Sequence, residues 1–259
     1  MASITLSCPY YQNKRVMSAD ELLETYFYGI SLTSQDGKVI SAQMMEFYID
    51  AATEETENSL DIKIMPQIIS ESNDFWYDDY RAWGYSRWQY PIKAAFALTG
   101  FLGDVEQIVY PSEWLSSRKT NGNLFGRNMY LVPTNGTATS SSVVYSGVSP
   151  SIGFFGNRQV PNYWTGVYCT GFDKAPKDLL NFIGKLASIN VFHILGDIIL
   201  GAGIASQSIG IDGLSQSIAT TSSATNAGYG ARVSGYIADN KLAYPKLKGY
   251  YKGYETTSL

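Results

Sequence analysis

The chain has 259 residues, of which 45% are hydrophobic and 16% are charged, and these values predict a folded protein with one large domain or two smaller ones. The formal net charge of −4 gives no general attraction to nucleic acid or to anionic membranes, so a general DNA-binding role is disfavoured. Tyrosine occurs 20 times. Its rigid, amphipathic ring suits either a protein-contact surface or a tyrosine-rich core.

The two cysteines, Cys8 and Cys169, lie far apart in the sequence and lack CxxC spacing, so we expect two free thiols and neither a zinc site nor a disulfide framework. The N-terminal residues lack a basic head followed by an apolar run, so no secretory signal is predicted. The most apolar window, 186–195, is shorter than the roughly 20 residues that a bilayer span needs. We expect assembly inside a cell and no membrane partner.

Residues 1–40 show no sustained periodicity and are expected to form an N-terminal arm, with a helix-like patch at 19–30 and a turn signal at 34–38. From residue 41 the sequence predicts an amphipathic helix, for which Ser41 is the expected N-cap. Its apolar face is expected to consist of Met45, Tyr48, Ile49, Ala52 and Thr56.

The opposite face of this helix is acidic and contains no basic residue; it is formed by Glu46, Asp50, Glu54, Glu55 and Glu57. Like charges at helical spacing are unfavourable unless a positive group meets them. The face is therefore either solvated or a docking surface for a neighbouring subunit.

Residues 65–103 are dense in Trp, Tyr and Asp, and we interpret them as a second helical stretch that ends in an apolar run. The aromatic residues concentrate between 75 and 90. Such a concentration is typical of a core or a contact surface, and occasionally of a sugar-binding platform.

Residues 103–170 change to short β-branched and aromatic runs separated by loops rich in Ser and Gly, which predicts about four antiparallel strands. A helix is predicted after Pro176, with a buried stripe that includes Phe182, Ile189 and His193. Glycines at 201–213 are expected to end it in a loop, and a last amphipathic helix is predicted over 224–243, ended by Pro245. The remaining tail, 245–259, is basic and rich in tyrosine.

The GAGIAS sequence at 201–206 resembles a dinucleotide-binding loop, but it follows a helical pattern instead of a strand and lacks the third glycine and the later acidic residue. His193 is the only histidine and is expected to be a hydrogen-bonded core residue. We therefore expect no cofactor, no metal and no catalysis. The remaining enzymatic candidate is a carboxylate set beside aromatic residues, as in glycosidases, formed by Asp74, Asp78 and Asp79.

The order of these features is an acidic helix, a second helical stretch, a β-rich insertion, two further helices and a basic tail. It resembles the head-to-tail connector, or adaptor, proteins of tailed bacteriophages, which form rings below the portal. The resemblance is carried by SAQMMEFYIDAATEETENSLDIKI at 41–64, by YRAWGYSRWQYPI at 80–92, and by the segments 160–189 and 196–236.

The resemblance implies a helical bundle whose copies pack side by side in a ring of about twelve, with a β-rich insertion on its outer or tail-facing side. It implies that the basic tail docks on the portal through Lys246, Lys248, Tyr250, Tyr251, Lys252 and Tyr254. The expected subunit interface consists of Glu46, Asp50, Glu54, Glu57, Trp76, Tyr80 and Trp83. The chain is longer than many adaptors, which leaves another position in the neck open.

The sequence therefore predicts an α+β fold: an arm (1–40), a helical core in two halves (41–102 and 171–244), an antiparallel β-rich insertion (103–170) and an extended tail (245–259). The predicted function is that of a structural virion protein, assembled in the host cytoplasm, which joins portal and tail proteins at the head-to-tail junction. DNA would pass through the ring without specific binding. The alternative is a carbohydrate-binding or carbohydrate-active protein that uses residues 74–90.

Overall fold

A computed structural model describes residue 8 and residues 15–30, 32–33, 37, 39–76, 85–120, 124–132, 159–200, 206–211, 214–219 and 229–252. The chain divides into two compact units. Unit 1 comprises Met1–Gln12 and Asp61–Asp173, and unit 2 comprises Asn13–Leu60 and Lys174–Leu259. Antiparallel sheets and helices are both present, which confirms the α+β class.

The described part of unit 2 contains four helices, of which the third is central because the other three all pack on it. They are α1 (Ala19–Tyr26), α2 (Ala42–Leu60), α3 (Lys177–Leu200) and α4 (Gly230–Leu247), and a π-helical turn, Lys248–Lys252, continues α4. The inward side of α2 buries Met45, Ile49, Ala52, Thr56 and Leu60. This stripe agrees with the predicted apolar face, because its spacing follows the helical period, except that Tyr48 is only half-buried.

The starts of α1 and α2 are fixed by serine caps. The Ser18 hydroxyl accepts a hydrogen bond from the Glu21 amide at 3.1 Å, and the Glu21 carboxylate accepts one from the Ser18 amide at 2.9 Å, which completes a capping box. The Ser41 hydroxyl accepts from the Met44 amide at 3.2 Å and confirms the predicted N-cap.

The contact between α1 and α3 depends on a glycine. The Tyr26 ring occupies the space that a Cβ at Gly184 would need, and the Tyr26 hydroxyl donates to the Asn181 side-chain oxygen at 3.2 Å. Most of α3 is buried, as predicted, although His193 is only half-buried.

The described strands of unit 1 form two antiparallel sheets with the strand orders β1-β7-β3-β4 and β2-β6-β5. The first contains β1 (Gln67–Trp76), β3 (Ala94–Leu102), β4 (Val105–Val109) and β7 (Gln159–Thr170). The second contains β2 (Tyr85–Arg87), β5 (Leu115–Thr120) and β6 (Leu124–Leu131), and a 3₁₀ turn, Ser112–Trp114, precedes β5. The central strand β7 pairs with β1 along almost its whole length, from Gln67 opposite Thr170 to Trp76 opposite Gln159.

Both sheets contribute to one aromatic core, which includes Phe75, Trp88, Met129, Trp164 and Tyr168. Trp88 packs directly on the backbone of β7: a Cβ at Gly166 would lie 2.5 Å from the indole ring. Glycine at this position therefore permits the largest side chain of the core to reach the sheet.

The prediction of a helical stretch at 65–103 is wrong, since β1, β2 and β3 lie there and the β-rich unit begins at Asp61 and not at residue 103. The run AAFALTGFL of β3 lacks a clear alternation because both of its faces are at least partly covered. A short apolar run of this kind does not distinguish a strand from a buried helix. Four strands in the predicted insertion, β4 to β7, agree with the prediction; SSVVYSGV at 141–148 lies outside the described residues.

The expectation of two free thiols is also wrong, because Cys8 and Cys169 form a disulfide within unit 1. Their Cα atoms are 5.8 Å apart, although 161 residues separate them in the sequence. A separation of that size provides no local signal for pairing.

The predicted glycine loop after α3 contains an antiparallel hairpin, β8 (Ser206–Ile211) and β9 (Leu214–Ala219). Ile211 pairs with Leu214, so two residues, Asp-Gly in the sequence, connect the strands. An Asp-Gly pair between alternating segments is a strong hairpin signal, and it outweighs the helix-breaking role that we assigned to the glycines. Gly201, Gly203 and Gly213 themselves lie outside the described residues.

Pro245 does not end the last helix, and the chain is not extended from 245 to 252. Proline removes one backbone donor from a helix. The helix nevertheless continues because Leu247 and Tyr251, which follow Pro245, are both buried and hold this part of the chain against the rest of unit 2. Residues 253–259 of the predicted tail lie outside the described residues.

Candidate interaction surfaces

The outward side of α2 changes from apolar to acidic along the helix. Phe47 is 65% exposed and Met44 is exposed beside it, whereas Asp50, Glu54 and Glu55 form the exposed surface further along. The helix contains five acidic residues and no basic one. An exposed phenylalanine next to an acidic surface is typical of a contact site.

Part of the acidic face is met by an arginine of the same unit. The Arg15 guanidinium lies 2.9 Å from the Glu46 carboxylate and 3.1 Å from that of Asp50. The hydrogen bond to Asp50 raises the pKa of Arg15. Of the predicted interface residues, Glu46 and Asp50 thus have a partner within the chain, Glu57 is half-buried, and Glu54 is exposed.

The outward side of α4 and of the π-helical turn is apolar in the middle and basic at its end. Leu242 is 71% exposed and Ile237 is exposed at the edge of the same surface. The basic residues Lys241, Lys246 and Lys248 are also exposed. The one acidic residue of α4, Asp239, is bonded to Lys185 of α3 at 2.7 Å. The remaining charge of this surface is therefore positive.

The predicted portal-docking residues separate into two groups. Tyr251 is only 5% exposed, and its hydroxyl donates to the Asp178 carboxylate at 2.9 Å. Burial, together with this hydrogen bond, raises the pKa of Tyr251. Tyr251 therefore stabilises unit 2, whereas Lys246, Lys248 and Tyr250 are exposed and Lys252 is half-buried; Tyr254 lies outside the described residues.

The aromatic segment at 75–90 contributes mainly to the core where it is described. Phe75 and Trp88 are buried in unit 1, and Tyr90 packs against the same cluster. Trp76 lies in β1, but its side chain, like Tyr80 and Trp83, is outside the described part of the chain. Neither buried ring can form a sugar platform.

Asp74 does not fit the general-acid role in a glycosidase. Its carboxylate accepts hydrogen bonds from the Asn162 amide at 2.9 Å and from the Gln159 side chain at 2.8 Å, and these lower its pKa. A general acid needs a raised pKa. Asp74 instead bridges an irregularity between β1 and β7, at which Asn162 has a φ of 51°. Asp78 and Asp79 lie outside the described residues.

The structure shows a third candidate surface, which the sequence did not predict. Strand β4 lies at the edge of its sheet, and Leu102, Val105 and Val109 are exposed around it, with Val105 at 63%. An edge strand with exposed valines offers both unpaired backbone groups and apolar area to another chain. The sequence of this strand, VEQIV, is short and mixes polar with apolar residues, so it does not by itself predict an exposed edge strand.

A partly buried polar network fixes one loop of unit 1 and was likewise not predicted. The Tyr168 hydroxyl donates to the Glu71 carboxylate at 3.1 Å, and that carboxylate also accepts from the Gln89 amide at 2.8 Å. Burial raises the pKa of Tyr168, and the Glu71 charge adds to the effect. The arrangement is structural, since it connects the segment around Gln89 to β1 and β7.

Within the described ranges, no group of three or more His, Cys, Asp or Glu residues is placed to hold a metal ion. In the same ranges no helix has the length and apolar character needed to cross a membrane.

No protein-family model matches the chain, and no curated protein matches it. Among solved structures, a chain of a particle neck, described as "Neck of empty GTA particle computed with C6 symmetry", matches 67% of this chain and 76% of its own length. The sequence identity is 13% and the TM-score is 0.37. Both values are low, and no functional conclusion is drawn from this likeness.

Proposed function

We propose that the chain is a structural protein of a phage-like particle, and that copies of it assemble into a ring at the head-to-tail junction. The resemblance of segments 41–64, 80–92, 160–189 and 196–236 to connector proteins supports the proposal. In this role the protein performs no catalysis. It connects a portal to the tail and surrounds the channel through which DNA passes.

The observation that carries the proposal is the exposure of large apolar side chains on two different helices of unit 2. Phe47 on α2 and Leu242 on α4 are both more than half exposed, and each lies beside a surface of one charge. A monomer gains nothing from such side chains in water, whereas a subunit with neighbours buries them. Two distinct surfaces on one chain are what a ring requires, because each copy then has a neighbour on either side.

Docking to a portal is proposed for the exposed part of the π-helical turn, at Lys248 and Tyr250, and for the residues that follow it. The buried Tyr251 anchors this turn to Asp178, so the docking residues would be held on a rigid base. Such an anchor reduces the conformational entropy that is lost on binding.

The proposal is tested by the mass of the purified 28.6 kDa chain in solution, measured by sedimentation velocity over a wide range of concentrations and by negative-stain electron microscopy. We expect closed rings of uniform size. A chain that sediments as a monomer at every concentration would refute the proposal. In particles that contain the protein, antibodies against it should label the junction of head and tail.

A further inference from the structure

The outward sides of α2 and α4 differ from each other in charge but not in pattern. On α2, Phe47 precedes Glu54 by seven residues, so the two lie on the same side of the helix about 10 Å apart. On α4, Ala238 and Leu242 precede Lys246 on one side, and Ala238 and Lys246 are about 12 Å apart along the axis. Each helix thus presents an apolar patch followed by a charged one at nearly equal spacing.

We propose that the outward side of α2 in one copy docks on the outward side of α4 in the next copy. The inference rests on the proposed self-assembly and names the two surfaces that carry it. Phe47 would lie between Ala238 and Leu242, and Glu54 would lie beside Lys246. Both pairs form together only when the two helices run in the same direction.

Charge excludes the symmetric alternatives. Contact of α2 with a second α2 would bring together the exposed Glu54 and Glu55 of both copies, since Arg15 is already paired with Glu46 and Asp50 of its own chain. Contact of α4 with a second α4 would oppose two helices that each expose Arg232, Lys241 and Lys246, while the single acidic residue, Asp239, is already paired with Lys185. Only the contact between α2 and α4 brings opposite charges together.

The surface of α4 is also open to close approach. A Cβ at Gly235, one helical turn before Ala238, would have no atom within 4 Å, and Ala238 is exposed. Among the described residues, Lys241, Lys246 and Lys248 take part in no salt bridge, so their charges are available to a second chain. The small side chain of Ala238 leaves room for a large ring such as that of Phe47 to pack beside Leu242.

The contact joins two different surfaces and is therefore heterologous. Every copy that uses its α2 surface leaves its α4 surface free for another copy, and the chain of contacts ends only when a ring closes. This property distinguishes the contact from a two-fold dimer and allows a direct test with two blocked variants.

The test uses Phe47→Glu, which blocks the α2 surface, and Leu242→Glu, which blocks the α4 surface. Both side chains are mostly exposed, so the far-UV circular dichroism should remain unchanged. Each variant alone should need a concentration at least about tenfold higher to assemble. An equimolar mixture should form a complex of one copy of each variant and nothing larger, because only one pair of intact surfaces remains.

Tyr28→Glu is the matched control, since Tyr28 is at least as exposed as Phe47 but lies in neither α2 nor α4. It should assemble as the unaltered chain does. The inference is wrong if either blocked variant forms rings at the same concentration as the unaltered chain, if the mixture remains monomeric, or if the control dissociates to the same extent. In these three outcomes the unaltered chain still forms rings and the proposed function stands, whereas an unaltered chain that stays monomeric overturns both.

Discussion

The two units use their aromatic and apolar residues in opposite ways. In unit 1, Phe75 and Trp88 are buried between two sheets, although they come from the segment, 75–90, that looked most like a contact surface. In unit 2, Phe47 and Leu242 are exposed on helices whose inner sides are already packed. A high aromatic content therefore indicates a core as readily as an interface, and exposure of individual side chains decides between them.

This contrast can be measured because each unit has its own spectroscopic probe. All five tryptophans lie within Asp61–Asp173 and report on unit 1. The four described helices all lie in unit 2, so the circular dichroism at 222 nm reports mainly on that unit. Perturbations of one unit should affect one signal much more than the other.

Reduction of the disulfide should have the largest effect, and it should be confined to unit 1. Loss of a crosslink that closes a long loop increases the entropy of the unfolded chain and lowers the free energy of unfolding by about 2–4 kcal/mol. The urea midpoint followed by tryptophan fluorescence should fall with reductant, while the helical signal keeps its midpoint. Cys8→Ser should already show the reduced value and should not respond to reductant.

The mass of the unreduced protein provides a separate check on Cys8 and Cys169. It should be lower than that of the reduced chain by two hydrogen atoms, and denatured, unreduced protein should take up no thiol reagent. Uptake of the reagent at two sites would mean that both cysteines are free thiols, as we expected from the sequence.

The sequence predicts those features whose cause lies within a few residues. The helices α2 and α3 follow from apolar side chains at helical spacing, and Ser41 could be identified as a cap because its partner is only three residues away. The disulfide and the contact of Tyr251 with Asp178 could not be found, because their partners are 161 and 73 residues apart. Burial of β3 on both faces removed the alternation by which a strand is recognised.

Gly166→Ala should have the next largest effect, again in unit 1. The added methyl group would overlap the Trp88 ring at 2.5 Å, so the indole must move within a packed core at a cost of about 1–3 kcal/mol. The tryptophan-detected urea midpoint should fall, and the near-ultraviolet circular dichroism should change.

Gly235→Ala provides the matched control in unit 2, since a Cβ there meets no atom within 4 Å. Alanine favours the helix by about 0.5–1 kcal/mol over glycine, so this variant should be slightly more stable by circular dichroism. An equal loss in both variants would mean that Trp88 does not depend on the space above Gly166.

Tyr251→Phe should lower the stability of unit 2 by about 1.5 kcal/mol, because it removes a hydrogen bond to the charged Asp178. The pKa of Tyr251 is raised in the folded state, so its stabilising effect is complete below about pH 10, the pKa of an unfolded tyrosine, and decreases as the pH rises further. Each tyrosine whose pKa is raised in the folded state lowers the free energy of unfolding by about 1.4 kcal/mol per pH unit above about pH 10.

Urea titrations followed at 222 nm between pH 8 and pH 11 would test both parts of this prediction. The unaltered chain should lose stability above pH 10, and Tyr251→Phe should show a less steep loss. Tyr250→Phe, which changes an exposed neighbour, should resemble the unaltered chain. Equal slopes for all three chains would contradict the burial of the Tyr251 hydroxyl.

Arg15→Ala should have the smallest effect on stability, because its ion pairs with Glu46 and Asp50 are solvent-exposed and screened by salt. The thermal unfolding midpoint at 222 nm should be unchanged, in contrast to Tyr251→Phe. Assembly should respond in the opposite sense, since loss of the arginine makes α2 more acidic and strengthens its attraction to the lysines of α4. At low salt this variant should assemble at a lower concentration than the unaltered chain, and a higher concentration would mean that Arg15 itself takes part in the contact.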